Sequence, residues 1–136
     1  MKVLVVGASG ATGRLVVDQL ISRDVEVNAI VRSLDELPDS PNLFKIQASV
    51  HNLTSSEMAT HIKGCNAVVS CLGHNLTFKG MFGKPRLLVT DTVRCICRAI
   101  KSNKTGSTVK VILMNTTGNS NRDISEIPPL SQRIVV

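Results

Sequence analysis

The sequence predicts an α/β fold, a three-layer α/β/α arrangement with one five-stranded parallel sheet ordered 3-2-1-4-5. Three observations predict it. Short apolar, β-branched runs alternate with segments of helical period, as strands read when helices cover both faces of their sheet. Glycines at 7, 10 and 13 come directly after the first of these runs and open the first helical segment. The 43% hydrophobic and 19% charged content is that of an ordinary globular domain.

The elements follow in order. Val3-Leu4-Val5-Val6 is wholly apolar and ends at glycine, which predicts a buried first strand. Leu15, Val16, Leu20 and Ile21 recur at helical spacing and predict a helix over residues 12–21. Residues 25–31 read as the second strand. Residues 34–42, with Pro38 and Pro41, read as a loop. Residues 44–48 alternate weakly and form the third strand. The next helix opens at Ser55, with Thr54 or Ser55 as its cap, and ends at Lys63-Gly64. Residues 67–72 are the fourth strand, stopping at Gly73. A long helix over residues 85–101 carries Val89, Val93, Ile96, Cys97 and Ile100 on its inner face. Residues 109–114 are the fifth strand. Right-handed crossovers between such strands produce the order 3-2-1-4-5.

Composition bounds the rest. At 136 residues, without repeats, low-complexity tracts or a dividing linker, residues 1–136 read as a single domain. No apolar run approaches the ~20 residues of a membrane span. The apolar N-terminal stretch is too short for a signal peptide and no small-residue cleavage site follows, so the expected compartment is the cytoplasm. Cys65, Cys71, Cys95 and Cys97 form no C-x-x-C pair and read as reduced, small core residues. His51, His61 and His74 have no metal-ligand spacing, so no metal is expected. A net charge of +6 suits either a polyanion partner or a solvated basic surface. With 2% aromatic residues and neither Trp nor Tyr, the stacking platforms of single-strand nucleic-acid binders are missing. Residues 127–136 read as the start of an apolar helix. The expectation is therefore a fragment of a longer protein, lacking its C-terminal substrate-binding part. The apolar tail Ile134-Val135-Val136 would serve either a partner subunit or the continuing chain.

The most informative segment is Gly7-Ala8-Ser9-Gly10-Ala11-Thr12-Gly13. Between a strand and a helix, the first glycine permits a sharp turn and the second lets backbone approach a pyrophosphate. The third lets helix pack closely on strand. Amides at the helix start then face phosphate oxygens, with the positive end of the helix dipole behind them. This is the dinucleotide-binding fingerprint of a Rossmann-type fold. The second strand bears on which dinucleotide is bound. NAD sites place Asp or Glu near its end to accept the ribose 2′-hydroxyl. Here the strand ends Ile30-Val31-Arg32-Ser33, with no acid until Asp35. Arg32 could clasp a 2′-phosphate through charge-assisted hydrogen bonds worth about 1.5–3 kcal/mol. That favours NADP(H) over NAD(H) about tenfold to hundredfold. Ser9 and Arg14 could add to the same pocket. Otherwise Arg32 is a solvated charge at a strand end.

Together with Val31-Arg32, Gly64-Cys65-Asn66-Ala67-Val68-Val69 and Leu72-Gly73, this loop resembles the atypical short-chain dehydrogenase/reductases. The nearest branch is the NmrA-like and biliverdin/flavin reductase-like set. The resemblance implies adenine near Ser49-Val50, and nicotinamide beside Leu72-Gly73-His74 and beside Thr116-Thr117. Two departures accompany it. The third strand ends Ala48-Ser49-Val50, where the group commonly has Gly-Asp-Val. The Tyr-x-x-x-Lys pair of the wider superfamily is also missing, because the chain has no tyrosine.

Hydride transfer depends chiefly on placing the cofactor beside an acceptor. Resemblance to the biliverdin/flavin reductases implies a planar small-molecule acceptor such as a flavin, quinone or tetrapyrrole, reduced without a tyrosine. In that reading Gly7, Ser9, Gly10, Ala11, Thr12, Gly13, Arg32, Ser49, Val50, Leu72 and Gly73 hold the cofactor. Thr116 and His74 are the candidate catalytic groups. Their alternatives are a loop hydroxyl bonded to backbone and a surface histidine. The loop over residues 74–83, with Phe78, Met81 and Phe82, suits either a lid or ordinary packing. Three classes follow: an NADPH-dependent reductase, an NADP(H)-sensing regulator without turnover, and a basic nucleic-acid-binding module.

Overall fold

The computed structural model describes residues 1–73, 88–103 and 108–114. Its centre is β1 (Lys2–Val6), four of whose five residues are buried. Parallel neighbours pair with it on both sides. These are β2 (Glu26–Val31) and, two strands along in the chain, β4 (Ala67–Ser70). The outer strands are β3 (Leu43–Gln47) beside β2 and β5 (Lys110–Leu113) beside β4. The order is β3-β2-β1-β4-β5, as the alternation of strand and helix signals predicts.

Side chains leave a strand alternately to its two faces, so β1 feeds two cores. Val3 and Val5 pack with Val17 of α1 (Ala11–Ile21), and Val16 and Leu20 cover them in part. Leu4 and Val6 face the other way. They join Met58 and Ile62 of α2 (Ser55–Ile62) and Ile96 and Ala99 of α3 (Leu88–Ser102). Each fully buried Leu, Ile or Met contributes about 1.5–3 kcal/mol. Beyond α3, Asn103 donates from its side-chain amide to the Ala59 carbonyl of α2 at 2.9 Å, tying the two helices together at that end. No helix among the described residues is long and apolar enough to cross a membrane.

The inner face of α3 differs from the sequence reading. Thr92, Ile96 and Ala99 are buried, Val89, Val93, Cys95 and Ile100 are half-buried, and Cys97 is exposed. Positions 92, 96 and 99 are spaced four and three residues apart and so stack along one line. Residue 97 stands about 100° round from Ile96. Apolar type alone therefore assigns Cys97 to the wrong face and passes over Thr92. Cys65 and Cys71 are buried, as small core residues should be. The loop after β2 also contains a short 3-10 turn, Leu34–Glu36.

Two glycines set the join between β1 and α1. Gly7 has φ +76°, the left-handed region that side chains with a Cβ rarely adopt. A Cβ on Gly13 would lie 2.1 Å from the Gly7 carbonyl oxygen and 2.8 Å from the Ala8 Cα. Gly13→Ala gains about 1 kcal/mol of helix propensity. Overpacking costs about 1–3 kcal/mol, and contact with backbone, which cannot rotate aside, puts this case at the upper end. We expect a net loss of stability in denaturant melts followed by far-ultraviolet circular dichroism. An unchanged midpoint would mean that α1 is not seated this closely.

At α2 the Thr54 hydroxyl accepts from the Glu57 backbone N–H at 3.2 Å, and the Glu57 carboxylate accepts from the Thr54 N–H at 2.8 Å. The Thr54 amide, then its hydroxyl, hold the Glu57 carboxyl below its ordinary pKa of 4.5. Thr54→Ala should cost about 1 kcal/mol of stability. A depressed carboxyl stabilises the fold above its ordinary value and loses that contribution as pH falls through the folded value. The deficit of Thr54→Ala should therefore shrink in melts run below pH 4, and a deficit constant with pH would refute the capping box.

Candidate functional site

The turn from β1 into α1 leaves its polar backbone pointing out of the sheet. Gly10 N–H bonds the Gly7 carbonyl at 3.2 Å, and the first helical bond runs from Arg14 N–H to the Gly10 carbonyl at 2.9 Å. The amides of Ala11, Thr12 and Gly13 precede that bond and have no helical carbonyl to meet. Gly10 caps α1 without a side-chain hydrogen bond, and the first turn holds no acidic residue. The positive end of the helix dipole thus faces an open space, with no carboxylate in the helix's own first turn to offset it.

That space is a groove of about 520 Å³ over the carboxyl ends of the strands. The turn contributes Gly7, Ser9, Gly10, Ala11 and Thr12, and β2 and its end contribute Ile30 and Arg32. Ala48, Ser49, Val50 and His51 line it beyond β3, Cys71, Leu72 and Gly73 beyond β4, and Met114 beyond β5. The groove lies where the chain leaves β1 to one side for β2 and where β4 flanks it on the other. Open α/β sheets bind ligands at such a switch point. A broader cleft of about 640 Å³ lies between α2 and α3, lined by Ser55, Lys63 and Arg98 among others. Its lining holds no residue of a strand end and no glycine of the turn, so the smaller groove is the better-built site.

Of the eleven expected cofactor positions, all but Gly13 line this groove. Ser9, Arg32, Ser49, Val50, Leu72 and Gly73 line it together with Gly7, Gly10, Ala11 and Thr12. Gly13 is buried beneath the turn and acts through packing. Arg14 turns back on the loop, its Nε donating to the Ser9 carbonyl at 2.9 Å. His74, Thr116, Thr117 and the loop over residues 74–83 lie outside the described residues, as does the tail over residues 134–136.

Spacing alone missed other groove residues. His51 reaches the site from a 3-10 turn (Val50–Asn52), and its Nδ1 lies 3.0 Å from Ser49 Oγ. Met114 arrives only through the pairing of β5 with β4. Cys71 forms part of the wall. Burial pushes its thiol pKa up, so it stays protonated at neutral pH and is no thiolate nucleophile.

The acid nearest Arg32 is Glu36. Its carboxylate accepts from the Arg32 backbone N–H at 3.3 Å and lies 3.8 Å from the Arg32 guanidinium. The Ser9 hydroxyl, then the Arg32 amide and charge, hold its pKa below the ordinary value. The i, i+4 spacing from Arg32 to Glu36 was visible in the sequence. The intervening residues read as a loop with no helical turn, so the spacing went unused. Lys45 holds that turn in place. Its Nζ donates to the Leu34 carbonyl at 2.8 Å and the Leu37 carbonyl at 3.0 Å, and pairs with Asp39 at 2.6 Å.

Known proteins resemble this chain in sequence or in fold. UPF0659 protein YMR090W of Saccharomyces cerevisiae is 38% identical over 101 residues, covering 71% of this chain and 42% of that protein. The oxidoreductase ylbE of Lactococcus lactis superposes with a TM-score of 0.65 at 24% identity, over 85% of this chain and 48% of its own. A candidate NADH-flavin reductase of Streptococcus pneumoniae superposes with a TM-score of 0.61 at 20% identity, over 99% of this chain and 60% of its own. At these identities the two solved structures speak to the fold. This chain spans less than half the length of the yeast and Lactococcus proteins. The sequence profile of the family described as NAD(P)H-binding matches residues 7–132. With that match running from the glycine turn through β2, β3, β4 and β5, the chain belongs to the NAD(P)H-binding family.

Proposed function

We propose that this chain prefers NADP(H) to NAD(H) and forms the cofactor-binding part of a cytoplasmic reductase acting on a planar acceptor such as a flavin, quinone or tetrapyrrole. The observation that carries the cofactor preference is Arg32. Its guanidinium stands exposed at the end of β2 and lines the same groove as Ser9. A 2′-phosphate placed there meets a cation with five N–H donors.

The residues present fit such a cofactor. Gly7 and Gly10 keep the groove floor free of side chains, and the open amides at the start of α1 suit a pyrophosphate. When bound, the nicotinamide supplies hydride chemistry. The chain itself binds, orients and excludes water. Leu72, Cys71 and Met114 offer apolar wall where a flat ring would rest. Thr116 and His74 remain the proposed groups for a hydroxyl contact and a proton. The name of the Streptococcus relative supports a flavin acceptor, although it specifies NADH. A second reading is an NADP(H) sensor without turnover, and the absence of tyrosine from these 136 residues supports it only for the part of the protein they form.

Calorimetric titration with NADPH and NADH tests the cofactor preference, since a chain without Trp or Tyr offers little fluorescence of its own. Arg32→Ala should weaken NADPH binding about tenfold to hundredfold and leave NADH nearly unchanged. An equal loss for both cofactors would sink the 2′-phosphate assignment. Steady-state oxidation of NADPH with flavin or quinone acceptors then separates reductase from sensor.

A further inference from the structure

We propose that the cleft between α2 and α3 is a docking site for an extended acidic segment of another protein, held between Lys63 on one wall and Arg98 on the other. The site is separate from the cofactor groove and shares no lining residue with it.

The cleft arises from how the two helices pack. Met58 and Ile62 of α2 and Ile96 and Ala99 of α3 turn into the core beneath it. Residues one step round each helix are left to form the walls. Ser55, Ser56, Thr60 and Lys63 come from α2, and Arg98 and Ser102 from α3. The bond from the Asn103 amide to the Ala59 carbonyl ties the walls together at one end. The resulting space is about 640 Å³, and from Ser55 to Lys63 it runs about 12 Å along α2.

Its chemistry is that of an anion seat. Two cations and no carboxylate are among the described residues that line it. Lys63 and Arg98 are both exposed, and the ion pairs among the described residues involve neither. The one acid of α2, Glu57, is already engaged by the Thr54 amide at 2.8 Å and hydroxyl at 2.7 Å. Positive charge also continues past the cleft. Arg94, Arg98 and Lys101 recur at i, i+4 and i+7, so they lie within about 60° of arc on α3, and all three are exposed. The one acid of that helix, Asp91, reaches Arg94 at 3.4 Å.

Shape and residue type choose among anionic partners. A nucleic-acid duplex is read by elements that project into its grooves, whereas Lys63 and Arg98 stand on the walls of a recess. A single strand is held by stacking on aromatic side chains, and no aromatic residue lines the cleft. An extended polypeptide fits better. Its alternate side chains stand about 6.8 Å apart, close to the rise of about 6 Å from Arg94 to Arg98. Carboxylates on alternate residues thus meet successive cations, while Ser55 and Ser56 on the opposite wall offer hydroxyls to the segment's backbone.

Fluorescence anisotropy of a labelled oligoglutamate peptide, titrated with the full chain at low salt, tests this. Circular dichroism melts check that each variant is folded. We expect binding that weakens as salt is raised. Lys63→Glu and Arg98→Glu should each lose about tenfold, and Arg23→Glu, the same charge change outside the cleft, should lose little. Equal losses in all three folded variants would report net charge alone and overturn the site. An oligothymidylate of equal length bound more tightly than the peptide, and lost in the same two variants, would overturn the choice of partner. No binding of oligoglutamate to the unmodified chain would overturn the proposal outright. No dinucleotide is used, so none of these outcomes depends on the cofactor reading.

Discussion

Everything in the candidate site depends on how closely α1 approaches β1. Gly13 lies against the Gly7 carbonyl and the Ala8 backbone with no room for a Cβ. That contact sets the start of the helix directly over the end of the central strand. Move the helix outward by the width of a methyl group, and the open amides of its first turn no longer face the groove. The fold is built to hold this position. β1 is hydrogen-bonded on both sides, and its side chains fill both cores.

A second layer of control lies in the charges around the turn. The first turn of α1 has no acid, so no carboxylate of the helix itself offsets its dipole at the groove. The charged groups sit instead at the end of β2, where the Arg32 side chain is exposed and Glu36 lies in a turn held by Lys45 and the buried Leu37. An exposed ion pair such as this one contributes little to stability, typically below about 1 kcal/mol.

The groove's far end is apolar and chemically quiet. Cys71 is kept protonated by burial, and Leu72 and Met114 complete the wall. Among the described residues no cluster of three His, Cys, Asp or Glu side chains gathers to hold a metal ion. His51, hydrogen-bonded to Ser49, is the titratable side chain that lines the groove beyond β3.

The sequence by itself determined the strand order and most of the groove. The two periodicities, two for strands and 3.6 for helices, are local properties, and so is the need for glycine at 7 and 13. The runs around Val3–Val6 and Val25–Val31 therefore name their elements, and the turn between β1 and α1 names its chemistry. Only the tertiary structure decided that Cys97 faces solvent while Thr92 is buried, because the inward face of α3 depends on where α2 and the sheet lie. It alone brought Met114 to the groove through a parallel strand that sets Ser70 opposite Leu113, 43 residues further along. It also turned Glu36 back onto Ser9 and Arg32. A carboxylate's partners are set by distance in space, and the clamp that puts Glu36 there comes from Lys45 on another strand.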